Sequence, residues 1–178
     1  MMFFKIVIFN KNIIFLNFLK FNFAKNKFMN FENLKPQVEI IVQSQLERDE
    51  KLKKICQLLS DSVSYYDWVG YYFANHETKT LHLGPYVGAA TDHTVIPFGK
   101  GICGQVAESN ANFVVPDVKA QDNYIACSIT VKSEIVVPLF VNGKNIGQID
   151  IDSHVIDPFT SEDERFLEFV NEQVATLF

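Results

Sequence analysis

The dipeptide Asn142-Gly143 constrains this chain more than any other feature. It separates two runs rich in Ile and Val, Glu134 to Val141 and Asn145 to Asp152. Asn-Gly tolerates the positive φ values of a tight primed turn, so the spacing predicts a β-hairpin. Side chains alternate faces along a strand. Ile149 and Ile151 therefore point one way, while Gln148, Asp150 and Asp152 point the other. Glu134, at the start of the partner strand, adds a third acid to that face. Like charges this close raise each other's proton affinity and cost stability unless a cation or a shared proton relieves them. Two readings stand at this point: the wet face of an antiparallel sheet, or the floor of a site.

The chain has 178 residues, enough for one domain with a substantial core. Its charge is uneven. Five of the 16 basic residues fall in residues 1–28, which hold no acid, so residues 29–178 carry 11 basic against 21 acidic residues, a net of −10. An acidic body argues against nucleic acid as the main partner. Cys56, Cys103 and Cys127 are too widely spaced for a disulfide framework or a zinc pattern. An odd number suits a reducing compartment, and a cytoplasmic location is expected.

Residues 1–28 stand apart, with eight Phe, five Asn and five Lys. Lys5, Lys11, Lys20, Lys25 and Lys27 interrupt every apolar run, so no uncharged span reaches the ~18–20 residues of a transmembrane helix. A signal peptide fits poorly, since Ala24 is the only small residue before Met29. The expectation is an extension outside the fold, with Met29 the true start and residues 29–178 a single domain that does not engage a membrane. A membrane-surface anchor is the competing reading, because Phe with Lys suits an interface.

Within the domain, Gln37 to about Ser64 is predicted as a helix, with Leu52, Ile55, Leu58, Leu59 and Val63 as its apolar stripe. Cys56 beside that stripe reads as a small core residue. Strands are expected over Asp67–Phe73, Lys79–Leu83 (ending at Gly84-Pro85), His93–Pro97 and Asn112–Val115. A short helix over Ile102–Glu108 places Cys103 in its first turn, where backbone N–H groups favour a thiolate. Residues 117–132 read as a loop with one helical turn around Asp122–Ala126, and Cys127 sits in it. Thr160, with Asp163 three residues on, caps a final helix from Ser161 to about Leu177 that buries Phe166, Phe169, Val170, Val174 and Leu177. The fold class is α+β: a central antiparallel sheet with the end helices on one face and a loop-covered pocket on the other.

Two cysteines, three carboxylates and the aromatics Trp68 and Tyr72 are expected to converge there. The set suits a thiol attacking a small cationic or zwitterionic ligand: acids hold an ammonium, aromatics enclose an apolar part, and a thiolate is the nucleophile. Metal ligation is the rival, and the spacing matches no zinc signature.

The segments GKGICGQVA, NYIACSITVKSEIVVPL and NIGQIDIDS, with DWVGYY and LGPYVG upstream, resemble the free methionine-(R)-sulfoxide reductases, a branch of the GAF-domain fold. The resemblance covers about residues 37 to 178. It implies a GAF-like sheet of about six strands with flanking helices, and often a dimer through the terminal helices. It also implies reduction of free L-methionine-(R)-sulfoxide by an L-methionine (R)-S-oxide reductase that binds no cofactor and draws electrons from thioredoxin and NADPH. Cys127 matches the catalytic cysteine and Cys103 a resolving one. Glu134 and Asp152, with Asp150, match acids that hold polar groups and assist sulfoxide protonation. Trp68 and Tyr72 match aromatics around the methyl and thioether, and Ile125 and Ala126 precede the nucleophile in the substrate-binding segment. Two positions depart: His93 stands where a further resolving cysteine is common, and Ser128 stands where Asp usually follows the nucleophile. The alternative is a non-catalytic GAF sensor of a small molecule or of redox state.

Overall fold

Residues 30–121 and 130–178 are described by a computed structural model. The chain divides into two units, Met1–Asn30 and Phe31–Phe178, and the fold below is that of the second. Its sheet has six antiparallel strands: β1 (Trp68–Asn75), β2 (Thr80–Val87), β3 (Val95–Pro97), β4 (Phe113–Val115), β5 (Ser133–Val141) and β6 (Lys144–Ser153). They are ordered β3-β2-β1-β6-β5-β4. The hairpin forms at Asn142-Gly143, where φ is +50° and +76° and Val141 faces Lys144 across a two-residue loop. That turn fixes the register of the two longest strands. β6 then pairs with β1, giving one continuous three-strand centre.

The two faces of this centre are covered differently. Helices α1 (Lys35–Gln43), α2 (Arg48–Ser62) and α4 (Ser161–Ala175) are the terminal helices, α2 packing on β1 and β2 and α4 on β5. Val69, Tyr71, Ile149, Ile151 and Ile135 face that way and are fully buried. Asn171 on α4 seals the contact: its amide donates to the carbonyls of Val137 and Pro138 at 2.9 and 3.1 Å, and its carbonyl accepts from the Tyr71 hydroxyl. The opposite face carries a second cluster built from Trp68, Tyr72, Leu81, Val106, Val115 and Val136. A short helix, α3 (Gly101–Ser109), lies over it. This is the short helix expected over Ile102–Glu108, and the apolar positions Ile102, Cys103, Val106 and Ala107 give it a buried face.

Three expectations are corrected. The helix expected from Gln37 to Ser64 is two helices. Ser44 turns extended and its hydroxyl donates to the Ile41 carbonyl, while Glu47 and Glu50 form a capping box that restarts the chain as α2. The second strand does not stop at Gly84-Pro85. Those two residues oppose the single residue Tyr71, a β-bulge that accommodates a proline unable to donate to the ladder. The final helix ends at Ala175, short of Leu177; Phe169 and Leu177 are only half-buried, and Leu167 and Asn171 are buried in addition to the expected residues. The helical turn expected at Asp122–Ala126 lies outside the described residues.

The N-terminus of α4 is a buried polar hub. Asp163 is fully buried and accepts from the hydroxyls of Tyr65 and Tyr66 and from the backbone N–H and hydroxyl of Thr160, all at 2.8–2.9 Å. Removing that acceptor leaves buried donors without a partner. Asp163→Ala is expected to lower the unfolding free energy by about 3 kcal/mol in urea denaturation. Glu172→Ala, on the exposed side of the same helix, is expected to change it by less than about 0.5 kcal/mol.

Candidate functional site

Strand alternation and hairpin register place the acids. On the α3 side of the sheet, Asp152 lies between Trp68 and Glu134, and Asp150 between Gly70 and Val136. Directly opposed residues have Cβ atoms about 5 Å apart, so Glu134 and Asp152 are neighbours by construction. Helix α3 closes over them. Its third residue, Cys103, puts its thiol 3.2 Å from Asp150 Oδ2 and 3.9 Å from Glu134 Oε1, donating toward both. The Gln148 amide donates to the Cys103 carbonyl and ties the first turn of α3 to β6. Gly104 permits the approach, since a Cβ there would stand 2.5 Å from the Pro97 carbonyl oxygen.

The acids are buried rather than wet: Glu134, Asp150 and Asp152 are 2%, 2% and 3% exposed. Burial, then repulsion from Asp150 and Asp152, pushes the Glu134 carboxyl well above the usual range, although the Cys103 thiol pulls it back in part. Burial raises Asp150 to about 7 against the opposing hydrogen bond from Cys103. Asp152 rises well above its ordinary value through burial, then through Asp150 and Asp67. Among the described residues, Asp150 Oδ1, Asp152 Oδ1 and Gln148 Oε1 are buried with no hydrogen-bond partner. A protein that buries three acids and leaves two carboxylate oxygens unsatisfied holds a site prepared for a cation or a proton.

Two cavities adjoin the cluster. The larger, about 180 Å³, is bounded by Trp68, Tyr72, Asp150, Asp152, Thr91 and Val131. That volume suits a small molecule, below the roughly 300–1,000 Å³ of pockets for larger ligands. The smaller, about 60 Å³, is bounded by Cys103, Glu134, His93, Ile96 and Lys100. Trp68 stacks on Tyr86 at 5.3 Å and on Tyr72 at 6.3 Å, and its ring crosses Gly70, where a Cβ would sit 2.3 Å from it. Both aromatics also hold the covering loop, Trp68 Nε1 donating to the Ala89 carbonyl and the Tyr72 hydroxyl to the His93 carbonyl.

Thus Cys103, Glu134, Asp150, Asp152, Trp68 and Tyr72 converge. Cys127, Ile125 and Ala126 lie outside the described residues. His93 is a loop residue whose backbone accepts from Tyr72 and whose side chain borders the smaller cavity. Cys56 is fully buried on α2, and burial pushes its thiol up to about 12, as suits a core residue. Sequence reasoning missed the pair Asp67–His154 at the rim of the larger cavity. The Asp67 carboxylate accepts from the His154 backbone N–H at 2.7 Å and lies 3.2 Å from its imidazole, while the Asp67 N–H donates to the Asp152 carbonyl. Extending the β1–β6 register one residue beyond Trp68–Asp152 puts Asp67 opposite Ser153, next to His154.

The buried acids set a pH dependence of stability. Their proton affinities are raised in the fold, so between their ordinary values near 4 and the folded values the native state binds more protons than the unfolded chain. Their contribution to stability is therefore full below about 4 and is lost as pH rises across the window, up to about 7 for Asp150 and further for its neighbours. The unfolding free energy from urea denaturation is expected to drop between pH 5 and pH 8, with a slope approaching 1.4 kcal/mol per pH unit for each such acid. Asp152→Asn is expected to flatten that dependence.

Against known proteins, the GAF domain model matches residues 47–178. A free methionine-R-sulfoxide reductase of Saccharomyces cerevisiae is 43% identical over 104 residues, covering 57% of this chain and 57% of that protein. The Escherichia coli protein of the same name is 41% identical over 110 residues, covering 62% and 65%. The structure of the free methionine-R-sulfoxide reductase of Neisseria meningitidis in complex with its substrate superposes with a TM-score of 0.78 at 34% identity, covering 83% of this chain and 87% of that one. The six-strand order, the α3-covered pocket and these matches agree: the chain belongs to the GAF domain family, in the branch of the free methionine-R-sulfoxide reductases.

Proposed function

We propose that this protein reduces free L-methionine-(R)-sulfoxide to methionine, with Cys127 as nucleophile and Cys103 as resolving thiol. The observation that carries the reading is the thiol of Cys103 set among Glu134, Asp150 and Asp152 beside a small cavity walled by Trp68 and Tyr72. The acids serve two needs of this substrate. One or more ionised carboxylates hold its ammonium, and a protonated one donates to the sulfoxide oxygen, which becomes a good leaving group only when it takes up a proton. Trp68 and Tyr72 give the methyl and thioether an apolar, polarisable wall.

The steps balance as follows. The Cys127 thiolate attacks the sulfoxide sulfur, the oxygen takes a proton from the acid cluster, and methionine leaves with Cys127 as a sulfenic acid. The Cys103 thiolate then attacks the sulfenic sulfur; the S–S bond forms as the S–O bond breaks, and the departing hydroxide takes a proton and leaves as water. The two electrons given to the sulfoxide come from the two thiols. A dithiol such as thioredoxin, itself reduced from NADPH, returns them by exchange with the disulfide. Position 93 is histidine, so the resolving role falls to Cys103 in this scheme. The terminal helices offer the surface for the dimer that the family resemblance implies, and a reducing cytoplasm fits a chain whose chemistry needs thiols.

Two measurements test this reading. Purified protein with thioredoxin, its reductase and NADPH is expected to turn over the (R)-sulfoxide and leave the (S)-isomer untouched. Cys127→Ser is expected to abolish methionine formation, while Cys103→Ser keeps a single-turnover burst and loses at least 100-fold in steady state. Equal steady-state rates for Cys103→Ser and wild type would remove Cys103 from the cycle. The pH profile is the second. A thiolate nucleophile and a protonated donor require a bell-shaped kcat/KM, its descending limb set by the raised acids and so at about 7 or above. Glu134→Gln is expected to lower kcat by 100-fold or more and to shift that limb.

A further inference from the structure

Cys103, Glu134 and Asp150 do more than surround a substrate. Each offers one ligand atom, and the three atoms lie within 4.8 Å of one another, all buried. Sulfur stands 3.2 Å from one carboxylate oxygen and 3.9 Å from the other. Zinc–sulfur and zinc–oxygen bonds of about 2.3 and 2.0–2.2 Å in a tetrahedron separate S and O ligands by roughly 3.5 Å, so these atoms need move little to share one ion. The second observation is independent: Asp150 Oδ1 and Asp152 Oδ1 are buried and have no hydrogen-bond partner among the described residues, and Asp150 is 2% exposed.

We propose that the reduced protein binds one thiophilic divalent cation of the zinc class at Cys103, Glu134 and Asp150, and that the bound ion blocks the site reversibly. Binding requires deprotonated ligands, so the thiol proton and carboxyl protons are released as the ion enters. The acids around the ion are Glu134 and Asp152 from the hairpin strands and Asp150 on β6, with Asp67 acting on Asp152 from before β1, while Lys100 and His93 border the smaller cavity beside Cys103 and Glu134. Among the described residues, no positively charged side chain forms an ion pair with the three hairpin acids. Three protein ligands leave a fourth tetrahedral position for water. The two adjoining cavities give the ion a route inward. An ion that takes the thiol and two of the acids removes the resolving thiol and the carboxylates that would meet an ammonium.

The test measures binding without turnover, so it stands apart from the reductase assay. Full-length, reduced protein is titrated with Zn2+ by calorimetry, and with Co2+ while thiolate-to-cobalt charge-transfer absorption is followed. One ion per chain is expected, with the absorption band present in wild type and Cys127→Ser and absent in Cys103→Ser. Glu134→Gln and Asp150→Asn are expected to weaken Zn2+ by tenfold or more, and a chelator is expected to reverse binding fully. Thermal melting of each variant without metal separates lost binding from lost fold. No saturable Zn2+ binding by wild type would overturn the proposal. So would loss of the cobalt band in Cys127→Ser with its retention in folded Cys103→Ser, which would place the ion elsewhere.

Discussion

The structure depends on the burial of three carboxylates against one thiol. Glu134, Asp150 and Asp152 come from adjacent strands on one sheet face, and α3 then removes them from water. Nothing in that arrangement favours stability by itself. Desolvation penalises each charge, and the neighbouring acids penalise Glu134 and Asp152 again. The cost is tolerated because the opposite face supplies a conventional apolar core under α2 and α4, with Tyr71, Ile149, Ile151 and Leu59 fully buried. The sheet is thus divided in purpose: one face makes the fold stable, and the other spends part of that stability on a site.

Rigid placement of the acids follows from their secondary structure. They sit on β5 and β6, joined by a two-residue turn and flanked by β1, so a slip of one residue would turn all three to the helix face and bury Ile149 and Ile151 among the site residues instead. The aromatic wall is fixed by equivalent means. Trp68 is stacked against Tyr72 and Tyr86, hydrogen-bonded to Ala89, and given room by Gly70. Asp163 and Asn171 do the same for α4, through hydrogen bonds to the Tyr65–Tyr66 segment and to β5.

Much of this was legible in the residues. Alternation in NIGQIDIDS separates the helix-facing isoleucines from the acids, and Asn142-Gly143 sets which residues oppose them. The capping pair Thr160 and Asp163 marks the start of α4 to the residue. Legibility fails where tertiary context overrides local preference. The run from Gln37 to Ser64 is helix-prone throughout, yet it must bend to lay α1 against α4 and α2 against β1 and β2, and the segment 44–47 takes the break. Pro85 reads as a strand terminator, but a bulge opposite Tyr71 absorbs its missing N–H. Phe169 belongs to the apolar stripe by periodicity and is half-buried because α4 meets the sheet through Val170, Asn171 and Val174.

The sequence by itself determines the order of elements, the hairpin and its register, and the side of the sheet on which three acids and two aromatics gather. Those are consequences of periodicity and turn chemistry, which act between residues close along the chain. Only the tertiary structure decides that the acid face is dry, because the cover comes from α3, some 30 to 50 residues upstream of the acids it shields. With burial come the raised proton affinities, the contact between Cys103 and Asp150, the pairing of Asp67 with His154, and a ligand set of one thiol and two carboxylates. Each of these requires residues far apart in sequence to be brought within a few ångströms in a medium without water, and no local pattern encodes that.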